Sequence, residues 1–75
     1  MTVPTPAPAL ALRVNGRDQE APAHWTVADL VGALAGEARM VAVERNGVIV
    51  PRARWAETPL AAGDRIELVR FVQGG

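Results

Sequence analysis

Two Asn-Gly pairs limit what this chain can fold into more strongly than any other feature of its sequence. Asn15-Gly16 and Asn46-Gly47 each come directly after a run of residues with strand-like composition. An Asn-Gly pair is the strongest short hairpin signal, because both residues of the tight turn must tolerate a positive φ. The sequence therefore predicts two β-hairpins. Their strands cover residues 9–14, 17–21, 40–45 and 48–50.

A single helix is predicted between the two hairpins. The Thr26 hydroxyl can cap the first turn, and Asp29 lies three residues later, near the positive end of the helix. Gly36 is expected to end the helix. A helix of about ten residues is marginal alone, so its apolar stripe must pack on a sheet. The residues that share the i, i+3, i+4, i+7 spacing of this stripe are Val27, Leu30, Val31 and Leu34.

The last predicted strand, 65–72, is rich in β-branched and aromatic residues and is expected to lie in the centre of the sheet. One main helix across one face of a mixed sheet of four or five strands gives an α+β roll of the β-grasp, or ubiquitin-like, type. A single domain is predicted over 9–75, with a flexible Gly-Gly tail at its end. Residues 1–8 contain alternating prolines and are predicted to form a flexible extension.

Composition argues against an enzyme. The 75 residues include no Cys and one His, which removes a thiol nucleophile, a disulfide and a zinc-thiolate site. Eight Arg balance eight Asp and Glu, so no net charge attracts nucleic acid or an anionic membrane. No run has the length of a signal peptide or a membrane span. We therefore expect a cytoplasmic protein, monomeric when free, that is not an enzyme and binds no metal or cofactor of its own.

The end of the chain, Gln73-Gly74-Gly75, is the one segment whose sequence suggests a reactive group. Glycine has no Cβ, so a Gly-Gly end can pass a constriction that any side chain would block. Four extended residues from Val72 span about 13 Å, enough to carry a terminal carboxylate into a partner's buried site. That carboxylate is ionised near neutral pH and can attack the α-phosphate of ATP. The alternative is a frayed end without function.

The last strand also offers a candidate docking surface. Its residues alternate between two faces, and only one face can meet the single helix. Val69 and Phe71 would then be exposed on the other face, beside the tail, and with Val72 they are the candidate partner-binding residues. The alternative is that loops cover both faces of the sheet.

Three further residues have ordinary structural interpretations. Trp55 follows Arg52 and Arg54 and could stack on a nucleobase, but a lid on a small core is the favoured interpretation. His24 is expected in a surface turn. Asp64, which follows Gly63, is expected to form a turn through its side-chain oxygen.

Several segments resemble the ThiS family of sulfur carriers for thiamine thiazole biosynthesis, within the ubiquitin-like superfamily. The resemblance runs from about Leu10 to Gly75, and the Pro-rich start departs from it. Its segments are Val14-Asn15-Gly16, residues 41–47, Ile49-Val50-Pro51-Arg52 with Trp55, residues 63–67, and Gly74-Gly75.

The resemblance implies that Gly75 is adenylated by a ThiF-type activating enzyme using MgATP. Sulfur from a cysteine-desulfurase persulfide then replaces one carboxylate oxygen, and thiazole synthase (ThiG) receives the sulfur of the resulting thiocarboxylate. The Gly-Gly end is shared with the small subunit of molybdopterin synthase and with ubiquitin-like modifiers. A sulfur carrier for molybdopterin or tRNA thiolation and a protein modifier therefore remain alternatives, beside a plain interaction domain. Pro51, Arg52 and Trp55 favour ThiS.

Overall fold

The computed structural model describes residues 8–36 and 41–70, which form a mixed five-stranded sheet with one α-helix. The strand order is β2-β1-β5-β3-β4, so the last strand of the chain is the central one, as predicted. It runs parallel to β1 and antiparallel to β3. The elements are β1 (Ala9–Val14), β2 (Arg17–Pro22), α1 (Val27–Ala35), β3 (Val41–Arg45), β4 (Val48–Ile49), a 3₁₀ helix (Arg52–Glu57) and β5 (Arg65–Arg70).

Both predicted hairpins are confirmed by the conformation of their turns. Asn15 and Gly16 have φ of 50° and 80°, and Asn46 and Gly47 have φ of 52° and 85°. Positive φ at both central residues is the type I′ pattern, which matches the right-handed twist of the flanking strands. The strand β2 extends to Pro22, which an edge strand tolerates.

The second hairpin is shorter than predicted, since β4 ends at Ile49. Val50 still donates its N–H to Val43 O at 2.8 Å, and Pro51, which has no N–H to donate, follows.

The helix begins with the predicted capping box. Thr26 N–H donates to Asp29 Oδ2 at 2.8 Å, and Asp29 N–H donates to Thr26 Oγ1 at 3.4 Å. Gly36 follows the last helical residue with φ of 62° and confirms the predicted stop. The stripe was predicted wrongly at Leu34, which is 39% exposed. The buried residues of the helix all lie among its first five positions. Leu34 comes about one turn after the last of them, where the core covers the helix only in part.

The core lies between α1, the sheet and the 3₁₀ helix. Trp55 is buried, and its indole N–H donates to Val50 O at 2.9 Å, so the predicted lid on the core is confirmed. His24 is exposed in a turn, also as predicted. The 3₁₀ helix around Trp55 was not predicted. The buried apolar residues are Leu12, Val14, Ala21, Val27, Leu30, Val31, Val43, Trp55, Leu60 and Ile66.

Two predicted segments lie outside the described residues. The proposed extension falls there apart from Pro8, whose C=O accepts the N–H of Ala23 at 3.0 Å. The Gly-Gly tail falls there entirely. Within 8–36 and 41–70, no helix is both long enough and apolar enough to cross a membrane.

We expect Leu30→Ala to lower the free energy of unfolding by about 2 to 5 kcal/mol, because Leu30 is fully buried and its loss leaves a cavity. Leu34→Ala removes the same atoms from a half-exposed position and should cost about 1 kcal/mol or less. Urea unfolding of both variants tests this. Equal losses would contradict the placement of the core under the first half of α1.

Candidate functional site

The strand β5 leads from the centre of the sheet toward the Gly-Gly end. Its described part stops at Arg70, so five of the predicted site residues lie outside the described residues. The structure therefore describes the strand that presents the tail and one predicted partner-binding residue, Val69. The five residues beyond it are Phe71, Val72, Gln73, Gly74 and Gly75.

The sheet has an outer face that the helix does not cover. Residues directly opposite each other in an antiparallel pair share a face. Val69 pairs with Ala42, and Leu68 pairs with the buried Val43. Successive residues of β5 alternate between faces, so Val69 lies on the outer face, where it is 45% exposed. Loop coverage of both faces is therefore wrong at Val69, while its role in partner binding stays a prediction.

Next to Val69, the outer face carries a carboxylate pair and an apolar edge residue. Glu67 on β5 pairs with Glu44 on β3, and Glu44 pairs in turn with Ile49 on β4. Ile49 is 67% exposed. Sequence analysis missed it because the strand β4 is too short to reveal which of its side chains point outward.

Both Asn-Gly turns hold β5 through their asparagine side chains. Leu68 N–H donates to Asn15 Oδ1 at 2.8 Å, and Asn15 Nδ2 donates to Leu68 O at 3.3 Å. On the β3 side, Arg65 N–H donates to Asn46 Oδ1 at 2.9 Å, and Asn46 N–H donates to Arg65 O at 2.7 Å. The two asparagines therefore do more than form the predicted turns: they hold β5 at its first residue, Arg65, and at its fourth, Leu68.

Asp64 forms a buried polar cluster directly before β5. It is 5% exposed, and its Oδ2 accepts from Arg45 Nε and from Ala61 N–H, both at 2.8 Å. Its Oδ1 accepts from Asn46 Nδ2 at 3.0 Å. The contact with Ala61 confirms the predicted turn. The ion pair with Arg45, 19 positions away in sequence, was not predicted.

The cluster sets the ionisation of Asp64. Burial by itself would raise the pKa of its carboxyl group. The hydrogen bonds from Ala61, Asn46 and Arg45, together with the charge of Arg45, outweigh burial and lower that pKa below its ordinary value of 3.8. Asp64 is thus held as a carboxylate that ties the start of β5 to β3 and to the turn before it.

The described part of the chain offers no centre for metal chemistry. Between Pro8 and Gly36 and between Val41 and Arg70, no three His, Asp or Glu side chains come together in a way that could hold a metal ion. What this arrangement can do is hold one strand firmly and expose Val69 beside the segment that follows.

Stability should fall in acid because of Asp64. A carboxyl group whose pKa is lowered by folding contributes stability that is present above its unfolded pKa and lost as pH falls through the folded pKa. Urea unfolding between pH 7 and pH 2 should therefore show a loss that begins near the ordinary value of 3.8 and continues below it. In Asp64→Asn that component should be absent, and stability at pH 7 should be lower by about 1 to 3 kcal/mol. An unchanged acid profile in Asp64→Asn would contradict this assignment.

Comparison with known proteins places this architecture in a family. The model of the ThiS family matches residues 12–75. The sulfur carrier protein ThiS of Bacillus subtilis is 38% identical over 69 residues, which cover 85% of this chain and 98% of that protein. The crystal structure of the thiamine biosynthesis protein ThiS from Geobacter metallireducens superposes with a TM-score of 0.75 at 32% identity, covering 88% of this chain and 100% of that one.

A longer protein also contains a similar segment. The thiazole synthase of Paramagnetospirillum magneticum is 41% identical over 66 residues, which cover 88% of this chain. This chain spans only 20% of the length of that synthase. The match with the Bacillus protein, in contrast, covers 98% of that protein. The chain belongs to the ThiS family.

Proposed function

We propose that this protein carries sulfur as a thiocarboxylate on Gly75 and donates it to the synthesis of thiamine thiazole. The observation that carries the proposal is the extent of the family match, which runs from residue 12 through Gly74 and Gly75. The fold supports it, because the strand that precedes these glycines is the central strand of the sheet. The proposal requires that Gly75 ends the mature chain, which the intact mass of the native protein measures directly.

The chemistry begins at the carboxylate of Gly75. It attacks the α-phosphate of ATP in a ThiF-type activating enzyme, where Mg²⁺ accompanies the nucleotide and pyrophosphate leaves. The acyl-adenylate that forms is a mixed anhydride with AMP as its leaving group. The outer sulfur of a cysteine-desulfurase persulfide attacks the acyl carbon, AMP leaves, and an acyl disulfide with the persulfide's cysteine forms. A second thiol reduces this S–S bond, which releases the thiocarboxylate on Gly75 and leaves a disulfide between the two donor thiols. The carrier contributes no acid, base or metal to these steps; it contributes the group that reacts.

Three properties of the chain suit it to this role. Five residues follow Arg70, and a fully extended segment of that length spans about 17 Å, enough to carry Gly75 into a recessed site. Gly74 and Gly75 carry no Cβ, so the reacting end fits a narrow passage. The chain contains no Lys, so its activated end finds no ε-amine on its own body.

Thiazole synthase is the proposed acceptor. Two relatives named thiazole synthase, 41% and 35% identical, contain a segment similar to this chain over 20% of their own length. A carrier-like segment within the same polypeptide as a synthase favours direct delivery between the two. We place the reaction in the cytoplasm, because a reducing compartment keeps the sulfur in its thiolate form.

Coexpression with a ThiF-type enzyme and a cysteine-desulfurase system should raise the intact mass of the carrier by the difference between one sulfur and one oxygen atom. A variant that lacks Gly75 ends in another glycine, one residue short of the reacting position, and should not gain this mass. An unchanged wild-type mass beside an active partner and sulfur source would refute the proposal. Higher-mass adducts that survive denaturation and reduction would point instead to a protein modifier.

Val69 is proposed, with Phe71 and Val72, to dock the carrier on its partners. Val69→Asp should raise the KM of the activating enzyme for the carrier roughly tenfold, because a carboxylate replaces an apolar contact beside the tail. Val48→Asp is the matched control. Val48 pairs with Arg45 on the helix side of the sheet edge and is 68% exposed, so the same change there should leave KM within about twofold. Equal effects would remove the outer face from the docking surface.

A further inference from the structure

The strand β5 loses its neighbour on one side before it ends. On the β3 side it is paired along its length, from Ile66 opposite Arg45 to Arg70 opposite Val41. On the β1 side the pairing covers only two residues, Arg65 and Ile66. The hairpin turn begins directly after β1, so no residue of β1 lies beside Leu68. The half of β5 that leads to the tail would therefore have an open edge.

The side chain of Asn15 takes the place of the missing strand at that edge. Its amide accepts the N–H of Leu68 at 2.8 Å and donates to the C=O of Leu68 at 3.3 Å. Both polar groups of the Leu68 backbone are thus satisfied as a neighbouring strand would satisfy them. The backbone N–H of Asn15 donates to Ile66 O at 2.9 Å. The backbone of Asn15 therefore bonds β5 at Ile66, and its side chain bonds the same strand two residues later, at Leu68.

From this geometry we infer that Asn15 is a positioning residue for the carrier tail. Its amide is the last hydrogen-bonding partner of the β5 backbone on the β1 side in the described part of the chain, so beyond Ile66 it holds that edge of the strand. On the other side, β3 stays paired with β5 as far as Arg70, and the Arg70 guanidinium reaches Leu34 O at 3.5 Å.

Removal of the amide would move the last hydrogen bond on this side from Leu68 back to Ile66. The end of β5 would then be held by β3 alone, so the root of the tail could bend and twist more freely. A tail whose root bends more freely spends less time in the reacting geometry inside an enzyme, although the docking surface of the body is unchanged. The inference rests on the proposed function, since it assigns Asn15 a role in presenting Gly75.

The chain supplies a matched control at the other end of the same strand. Asn46 occupies the equivalent place in the second Asn-Gly turn and holds the backbone of Arg65 through the same kind of amide contact. It also donates to Asp64, so its loss should destabilise the body at least as much as the loss of Asn15. Arg65, however, is the residue of β5 farthest from the tail.

Substitution by glycine isolates the amide in both cases. Asn15→Gly and Asn46→Gly keep a turn that accepts positive φ, so each change removes the side chain without straining the backbone. With the full-length carrier and its activating enzyme, Asn15→Gly should lower the kcat of adenylation roughly tenfold and leave KM within about twofold. Asn46→Gly should change neither constant more than about twofold, even where its unfolding midpoint drops further.

Amide hydrogen exchange separates a local effect at the end of β5 from a general loss of stability. Val69 N–H should exchange faster in Asn15→Gly relative to Val43 N–H in the body, because only the end of β5 is loosened. In Asn46→Gly the ratio of the two rates should stay near that of the wild type. If Asn15→Gly does not fold, Asn15→Asp takes its place. It keeps an acceptor for Leu68 N–H and should show a smaller loss of kcat in the same direction.

Two outcomes would overturn the inference. One is a kcat for Asn15→Gly equal to that of wild type; the other is an equal loss of kcat in both glycine variants, which would make the effect one of general stability. Failure of the proposed function is distinguishable from both, because the wild-type carrier itself would then not be adenylated. A wild type that reacts beside an Asn15 variant with normal kcat would refute the positioning role alone.

Discussion

The pairing of β5 with β3 is the interaction on which the rest of this structure depends. It brings the last strand of the chain into the centre of the sheet, where Ile66 is buried in the core and Val69 is exposed on the outer face. A slip of one residue in this pairing would exchange the two faces, because side chains alternate along a strand. The polar contacts around β5 oppose such a slip. Asn46 and Asp64 fix the start of the strand, and each contact is made with a specific backbone or side-chain atom.

These polar contacts complement the core in a chain of this size. A small domain buries a limited share of its surface, so these polar contacts add to the register that burial of one face of β5 already specifies. Burying the carboxylate of Asp64 costs free energy, and this cost is offset because both of its oxygens accept hydrogen bonds. Within the described residues, no buried side-chain polar atom is left without a hydrogen-bond partner.

The elements that sequence analysis predicted correctly are those with local signals. An Asn-Gly turn, a capping box and a stop at Gly36 each act within a few residues, and all three were found where expected. The errors and omissions involve contacts made at a distance. The exposure of Leu34 depends on where the helix leaves the core. The bonds from Asn15 to Leu68 join residues 53 positions apart, and no local pattern indicates that a turn residue will hold a distant strand.

The candidate site divides in the same way. The glycines of the tail could be predicted as a site from the sequence, because the proposed chemistry requires only a carboxylate and the absence of side chains. The residues that hold β5, such as Asn15 and Asn46, could not be predicted, since their role follows from the topology of the sheet. A carrier that serves two enzymes in turn must bind each one weakly enough to leave. Within the described residues, the large apolar side chains exposed on the outer face are Val69 and Ile49, beside the Glu44–Glu67 pair. Under the proposed function, the rate of reaction depends on how well the tail is aimed once the body has docked, and Asn15 is the residue that we propose to set this aim.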